Sequence, residues 1–527
     1  MENQDRARWP APLGRVPLPA LPEPARASAA DDDGARVHVR AFRFSDNTAI
    51  DGASLAVHLD DLVGRELSLK ELNAAADRIT ALYRRRGFLL ATAYLPAQDI
   101  ADGVVRIALL EGRLGKVKLD NRSRVSESAL LPLLSALTPG TPLSSDELER
   151  SLLLVKGLAG VEVQSTLTPG ASTGSADLDI RVDGLERSSA SLSLDNYGNR
   201  FSAEWRAGAA WALNNPLALG DVLSLRLSSG GAPFGYGRLA YQLPLGGRGL
   251  QAGAAWSAMR YRLGQDFAAL QARGDASIAS AYALYPLMRS RSTNLTLQGN
   301  LEHKRLNDRS DSTQTRSSKT LELLTLGISG DRADALGGGG FSTASLSYIS
   351  GHLQLDSEAQ ALDSEGHRSA GRYGKWSWQL ARQQALPSSS AAWSLLAQFS
   401  GQYSANGKNL DSSEKFGLGG AQGVRAYPQG EASCDDAWLA SLELRYSAAP
   451  TLQLSAFADA AAGRLNHAPL ATDRRNAQRL SGLGLGANFK LPQGLVWTSS
   501  LAWRSGSLPQ SDRDRSPRFW TGLQQSI

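Results

Sequence analysis

The sequence has one cysteine, Cys434, in 527 residues, which excludes an internal disulfide framework and a cysteine-based metal cluster. Its six histidines are scattered without an H-x-x-x-H pair, so we expect no metal site. No run of 18 apolar residues occurs, which excludes a protein that crosses a membrane with helices. The 56 Lys and Arg and 51 Asp and Glu are spread along the chain. We therefore expect no nucleic-acid partner.

Two neighbouring stretches, 36–112 and 113–184, repeat one order of strand, helix, strand and strand. Each contains a capping-box pattern, Ser68 with Glu71 and Ser144 with Glu147, followed by apolar residues at helical spacing. The expected strands are 37–44, 88–94 and 103–110 in the first stretch, and 161–167 and 176–182 in the second. Two such α+β modules are too small for a deep active site. Their sheet edges are suited to binding an extended polypeptide by strand addition.

Three consecutive arginines, Arg84, Arg85 and Arg86, end the first predicted helix. Cations in the last turn stabilise a helix end, so a solvated terminus is one interpretation. The other is contact with an acidic partner. Both interpretations stay open on the sequence alone.

From residue 185 onward the helical pattern gives way to alternating apolar and polar residues. In 438–446, for example, one face carries Trp438, Leu442 and Tyr446 while the other carries Glu443 and Arg445. One face suits lipid and the other suits water. Sixteen such segments occur, near 191–198, 203–213, 222–229, 237–243, 251–263, 275–287, 292–306, 319–334, 341–355, 373–386, 392–404, 436–447, 451–464, 478–491, 494–505 and 518–527.

Short connections alternate with long polar loops between these segments. The long loops are 264–274, 307–319, 356–372, 405–435, 466–477 and 508–517. This pattern is typical of outer-membrane barrels, in which closure satisfies every backbone group in lipid. The sequence therefore predicts an all-β transmembrane barrel of 16 antiparallel strands over 185–527, preceded by the two α+β modules. A soluble β-sandwich or propeller is the alternative.

The loop at 405–435 carries many glycines between Phe416 and Gly430, which suits a chain folded tightly inside the barrel. In the segment 451–464 Asp459 has the inward parity and needs a cation near the middle of the barrel. Arg425 on the preceding loop is the candidate. The alternative is that pore water alone solvates Asp459.

Residues 1–35 form a leader rich in proline and arginine. No apolar stretch of 7–15 residues is found in 1–30, so a secretory signal peptide is not visible. Taken alone, this favours the cytoplasm and conflicts with the barrel pattern.

At the loop and the following strand the sequence resembles the outer-membrane transporters of two-partner secretion (TpsB type). These form the haemolysin and haemagglutinin secretion-activation family, which joins POTRA modules to a barrel. The resemblance covers about 36–527. It rests on Val424-Arg425-Ala426-Tyr427 after Gly423, with Ala426 where the family usually has glycine, on Phe457-Ala458-Asp459, and on 83–112 with Leu95-Pro96-Ala97-Gln98 and Leu110-Glu111-Gly112.

The resemblance implies two POTRA modules in the periplasm, a barrel in the outer membrane, and an Arg425–Asp459 pair that holds the loop in the lumen. It implies export of a large partner exoprotein of adhesin or haemolysin type to the cell surface, driven by folding of the partner outside. One departure is Ile527, where such barrels usually end in an aromatic residue. No P-loop pattern occurs, and we expect no cofactor.

Other functions fit the sequence less well. A barrel-assembly insertase of the same superfamily is the main alternative, although such proteins usually carry more POTRA modules. A surface hydrolase needs a nucleophile, and Gly482-Leu483-Gly484-Leu485-Gly486 offers no serine for a G-x-S-x-G motif. A passive porin has no need of the module pair. We therefore expect a non-enzyme that contacts lipid and is a monomer.

Overall fold

A computed structural model describes residues 36–100, 102–172, 174–387, 392–471, 473 and 475–527. The leader predicted at 1–35 lies outside the described residues. The described chain forms two small α+β modules followed by one closed barrel.

The first module is built around one long helix. Its elements are β1 (Arg36–His38), β2 (Ala41–Ser45), α1 (Gly52–Ala56), a 3₁₀ turn (Val57–Leu62), β3 (Glu66–Ser68), α2 (Leu69–Arg85), β4 (Thr92–Tyr94) and β5 (Val104–Leu110). β2 runs parallel to β5, and β4 lies antiparallel on the other side of β5. Helix α2 buries Leu72, Ile79 and Tyr83 in one core with Val105 and Ile107 of the sheet.

Two details of the first module differ from the prediction. The strand expected at 37–44 is two strands, because Val39 pairs with the β3 side and Arg40 turns to Gly103 beside β5. The strand expected at 88–94 shrinks to β4, because residues after Gly87 (φ 92°) form a turn in which Ala91 N–H donates to the Phe88 carbonyl. In both places backbone hydrogen bonds set the bounds of the strands, and the alternation of apolar and polar residues does not show these bonds.

A buried carboxylate ties the first module together. Glu111 accepts hydrogen bonds from the Ala49 N–H (2.7 Å), the Tyr83 hydroxyl (3.0 Å) and the Thr48 hydroxyl. Burial alone raises the pKa of Glu111, but these donors outweigh it and hold the pKa below the usual value for a glutamate. The ionised carboxylate therefore joins α2 to the loop before α1.

The second module repeats this topology. Its elements are β6 (Arg113–Arg122), α3 (Glu127–Leu130), a 3₁₀ turn (Leu131–Leu134), α4 (Ser145–Lys156), β7 (Val161–Pro169) and β8 (Ser175–Gly184). β6 runs parallel to β8 and β7 antiparallel to it, which gives the order β6-β8-β7. The predicted repeat is therefore present. The second capping box is wrong: Ser144 caps α4 by position without a side-chain hydrogen bond, whereas Ser68 and Glu71 form a complete box on α2.

The remaining chain forms the predicted barrel. Its strands are β9 (Ser188–Asp195), β10 (Arg206–Asn214), β11 (Val222–Ser229), β12 (Phe234–Leu245), β13 (Leu250–Arg262), β14 (Ala272–Arg289), β15 (Thr293–Ser310), β16 (Thr315–Asp334), β17 (Gly340–Leu355), β18 (Gly371–Ala385), β19 (Trp393–Ala405), the short loop strands β20 (Phe416–Gly417) and β21 (Ser433–Cys434), β22 (Asp436–Ala449), β23 (Leu452–Arg464), β24 (Ala477–Lys490), β25 (Leu495–Arg504) and β26 (Arg518–Ser526). Short helical elements in the connections are α5 (Ser357–Glu365) and 3₁₀ turns at Gln265–Leu270, Leu336–Gly338, Ser412–Glu414 and Pro492–Gly494.

Sixteen strands close the barrel, from β9 through β19 and β22 to β26, with β26 pairing back onto β9. All neighbours are antiparallel, which confirms the fold class. The closing seam continues past β26, because Ile527 and Ala190 exchange backbone hydrogen bonds of 2.8 and 3.1 Å. Ile527 is exposed, as are Phe519 and Leu523, which have the same parity along the strand.

Side chains alternate across the barrel wall as the sequence predicts. The outward face carries exposed apolar residues around the barrel, among them Leu194, Trp211, Leu239, Trp256, Leu301, Leu326, Leu346, Phe399, Leu442, Leu454, Leu485 and Trp503. Polar side chains of the same strands point into the lumen. A wall of this kind separates lipid from water.

The second module packs against the short turns at one end of the barrel. Arg150 of α4 donates to the carbonyl of Pro286 (2.9 Å), and Asn215 donates to the carbonyl of Ala159 (2.5 Å). The Ser126 N–H donates to the carbonyl of Ala218 (2.8 Å). The short turns therefore share the module's side of the membrane, and the long loops lie at the opposite end. The long loop predicted at 307–319 is wrong: it is a turn of residues 311–314, because the pairing of β15 with β16 continues to Ser310 and Thr315.

Candidate functional site in the barrel lumen

The loop between β19 and β22 folds back into the barrel. Its ends pair as the short strands β20 and β21, so the loop is a hairpin. Its tip contacts inward-facing residues of β22, β23 and β26, including Trp520, whose indole N–H donates to the Arg425 carbonyl (2.7 Å). The loop therefore occupies the lumen.

Arg425 at the loop tip forms a two-point contact with Asp459 of β23. Its Nε and Nη2 each lie 2.8 Å from a different carboxylate oxygen, and its backbone N–H donates to the same group at 3.1 Å. The Asp459 side chain is 1% exposed. The planar guanidinium fits a carboxylate in this paired geometry, which makes the contact directional.

Further groups complete the Arg425 site. Glu443 of β22 accepts from Nη1 at 2.9 Å, and Ser441 accepts from Nη2 at 3.1 Å while donating to Asp459 at 2.8 Å. The guanidinium carbon lies 3.2 Å from the centre of the Phe457 ring, a cation–π contact. Arg425 thus faces two carboxylates and one aromatic ring on the β22–β23 wall.

The residues beside Arg425 pack the tip against the wall. Val424, Ala426 and Tyr427 are buried, and the Tyr427 hydroxyl donates to the carbonyl of Ser507 at 2.8 Å. Gly423 allows a close turn, because a Cβ there would lie 2.3 Å from the Leu418 carbonyl oxygen. The structure therefore brings all seven residues predicted for this site together.

Two glycines of β24 also belong to the site, and sequence reasoning missed them. A Cβ on Gly482 would lie 2.5 Å from the Ala426 Cβ, and a Cβ on Gly484 would lie 2.1 Å from the Phe457 ring. Because these inward positions of β24 carry no side chain, the loop tip can pack directly against the strand backbone. The sequence does contain a pattern that could have predicted this close approach: every second residue from Gly482 to Gly486, on the inward face of the strand, is glycine.

A second set of contacts, also missed, holds the first limb of the loop, residues 409–416. Glu414 lies 2.9 Å from both Lys304 of β15 and Lys375 of β18. Asp411 lies 2.9 Å from Lys319 of β16. This limb therefore contacts the β15–β18 wall, whereas the tip contacts the β22–β23 wall.

The lumen contains a cavity of about 1150 Å³ that opens beside the second module. Its mouth is lined by Leu133, Leu154 and Leu158 of that module. Its wall carries uncharged polar residues, namely Ser191, Ser224, Gln251, Ser280, Thr296, Gln298, Asn300, Thr325, Ser345, Ser347, Ser377 and Gln379, and the charged residues Arg226, Arg238, Arg289, Glu302, Lys304, Lys375 and Glu414. A cavity of this size with polar and charged side chains on its wall suits a solvated chain better than a small apolar ligand.

Within the described residues, no group of three or more His, Cys, Asp or Glu side chains is placed to hold a metal ion. Arg84, Arg85 and Arg86 lie exposed at the end of α2 in the first module, and the structure does not bring them to the lumen site. None of the described helices is long and apolar enough to cross a bilayer.

Comparison with known families accounts for the combination of two α+β modules with a barrel. The model described as haemolysin secretion/activation protein ShlB/FhaC/HecB matches residues 174–489. The chain belongs to this family. A second model, the POTRA domain of ShlB type, matches residues 37–112. The family assignment confirms an outer-membrane transporter with POTRA modules in the periplasm, and it favours partner export over barrel assembly.

Individual relatives agree with the family assignment. The heme/hemopexin transporter protein HuxB of Haemophilus influenzae (strain 86-028NP) is 31% identical over 445 residues, which cover 82% of this chain and 77% of HuxB. The structure of CdiB from Escherichia coli matches with a TM-score of 0.76 at 20% identity, covering 100% of this chain and 95% of that one. BamA from Haemophilus ducreyi lacking POTRA domains 1–3 matches with a TM-score of 0.54 at 15% identity, covering 94% of this chain and 100% of that one, and shares the fold alone.

Proposed function

We propose that this family member exports an extended partner exoprotein, which the two modules capture and the barrel lumen conducts to the cell surface. The main support for this proposal is the cavity of about 1150 Å³, because the second module lines its mouth and the barrel strands form its wall. One path thus joins the capture modules to the pore. The proposed division is 1–35 leader, 36–112 and 113–184 modules, and 185–527 barrel.

The second module offers an edge for capture beside the mouth. The order β6-β8-β7 leaves β7 at the edge of its sheet. β7 begins at Val161, three residues after Leu158, which lines the cavity. An extended segment added along β7 would gain main-chain hydrogen bonds whatever its sequence, and would lie next to the pore.

The exposed arginines Arg84, Arg85 and Arg86 are proposed to contact acidic parts of the partner. We assign no catalytic role to any residue. The outward apolar face is proposed to contact outer-membrane lipid. The expectation of a monomer stays a prediction.

Deletion of 36–184 tests this function. The barrel strands do not depend on the modules for their hydrogen-bonded neighbours. We therefore expect the shortened protein to insert in the outer membrane, seen as heat-modifiable migration on gels, and to secrete no partner. The isolated 36–184 fragment, with its own two cores, is expected to fold and to bind the partner's N-terminal region. Normal secretion by the deletion variant would refute the proposal.

A further inference from the structure

The cavity that leads inward from the second module is closed at its far end by residues 409–416. The lining there includes Glu302, Lys304, Lys375, Glu414 and Phe416. Glu414 and Phe416 belong to the first limb of the loop, and the others belong to the barrel wall. The limb, and not only the tip with Arg425, lies between this cavity and the outside.

Glu414 is the centre of the closure. Its side chain is 4% exposed and lies between Lys304 and Lys375, whose side chains are 11% and 6% exposed. Lys375 also donates to the Glu414 carbonyl at 2.6 Å, and Gln402 donates to the same carbonyl at 3.0 Å. The carboxylate and its backbone are therefore both fixed to the wall.

An apolar contact lies beside these ion pairs. Leu410 of the limb is buried with inward-facing side chains of β16, β17 and β18, namely Leu321, Leu323, Ile349, Leu353 and Tyr373. Water is excluded from this contact, so the neighbouring ion pairs are screened less than pairs on the surface. Leu410 and Glu414 together seal the limb against the β15–β18 wall.

We propose that residues 409–416 are the outer gate of the export path, with Glu414 as its latch and Leu410 as its seal. The inference rests on the proposed function, because the path it closes is the one the partner takes. Release of the limb would join the cavity to the outside. It would also leave Lys304, which lies 3.5 Å from Glu302, and Lys375 on the wall of a channel lined by many polar side chains. Such a channel accepts an extended, polar polypeptide.

The latch is tested by Glu414→Gln in the full-length protein, studied in planar bilayers without any partner. Loss of one member of a buried ion pair is strongly destabilising, so we expect the ratio of open to closed states to rise at least about tenfold. The matched control is Glu322→Gln on β16, because Glu322 is exposed on the outer face and the same charge is removed. Its conductance is expected to equal that of the wild type.

A second variant and a second readout keep the test decisive. Lys319→Met breaks the contacts with Asp411 and the Ser412 hydroxyl, leaves those of Glu414 in place, and is expected to raise open events in the same direction by a smaller factor. On intact cells, trypsin is expected to cleave after Lys415 faster in Glu414→Gln than in the control. Unchanged conductance and cleavage in both variants, with wild-type protein secreting its partner, would overturn the gate alone. A wild-type protein that neither conducts nor secretes would instead contradict the proposed function.

Discussion

Replacement of Arg425 by alanine is expected to detach the loop tip from the barrel wall. The substitution removes both side-chain hydrogen bonds to Asp459 and the one to Glu443. The Asp459 side chain, 1% exposed, is then left without its counter-charge. Breaking a buried pair in this way costs about 3–5 kcal/mol. At about 1.4 kcal/mol per tenfold, the ratio of docked to released tip falls more than about 100-fold.

Asp459→Ala is expected to have a smaller effect in the same direction. Arg425 keeps Glu443 at 2.9 Å and the Phe457 ring at 3.2 Å, so its charge is still compensated. The loss is mainly that of hydrogen bonds to a charged group, about 1.5–3 kcal/mol. Because both substitutions break one contact, their effects are expected to be non-additive.

The assay combines secretion of the partner with surface protease sensitivity of the loop. Both variants should insert as folded barrels, secrete poorly and become more sensitive to trypsin at Lys415. Arg445→Ala is the matched control, since Arg445 lies on the same wall, pairs with Glu443 at 2.8 Å and does not hold the loop. Normal secretion by Arg425→Ala, or additive defects in the double variant, would show that this pair does not hold the loop.

Three further predictions concern the pore and the first module. Deletion of 415–430 should change the single-channel conductance markedly, and an unchanged conductance would mean that the loop does not narrow the lumen. The pKa of Glu111 is lowered in the folded state, so its stabilising contribution is present above the usual glutamate pKa near 4.5 and is lost as the pH falls below it. Glu111→Gln should therefore lower the free energy of unfolding of the 36–184 fragment by about 1–3 kcal/mol at pH 7. In denaturant titrations the stability of this variant should also depend less on acid pH. Ser68→Ala should cost about 0.5–2 kcal/mol in the same titrations, whereas Ser144→Ala should cost little, because the Ser144 side chain forms no capping bond.

The barrel and the tip site follow from parity in the sequence. Once β23 is recognised as a strand with Leu454 outward, Phe457 and Asp459 must point inward, and the structure places both against the loop. Arg425 is the cation on the glycine-rich loop that precedes the β22–β23 hairpin. Alternation thus restricts the choice of partners when two elements are neighbours in sequence.

Side-chain parity along the strands could not predict the contacts of Glu414. Lys304 precedes Glu414 by 110 residues and lies four barrel strands before β19. Parity shows that Lys304 points inward but not which height of the lumen a long, irregular limb reaches. The missing cap at Ser144 has a similar cause, because a four-residue pattern fixes residue types and leaves the side-chain rotamer to the local packing.

The two attachments of the loop differ in chemistry, and the difference suits separate roles. The tip uses arginine, whose planar guanidinium matches Asp459 and Glu443 in fixed directions and therefore sets the position of the loop. The limb uses lysines, whose compact ammonium groups are strongly hydrated. When the limb leaves, Lys304 and Lys375 face the cavity that they line, where hydration of their ammonium groups recovers part of the energy lost with Glu414. A latch made of lysines is therefore easier to reopen than one made of arginine, and the gate lies on the side of the lumen where the cavity ends.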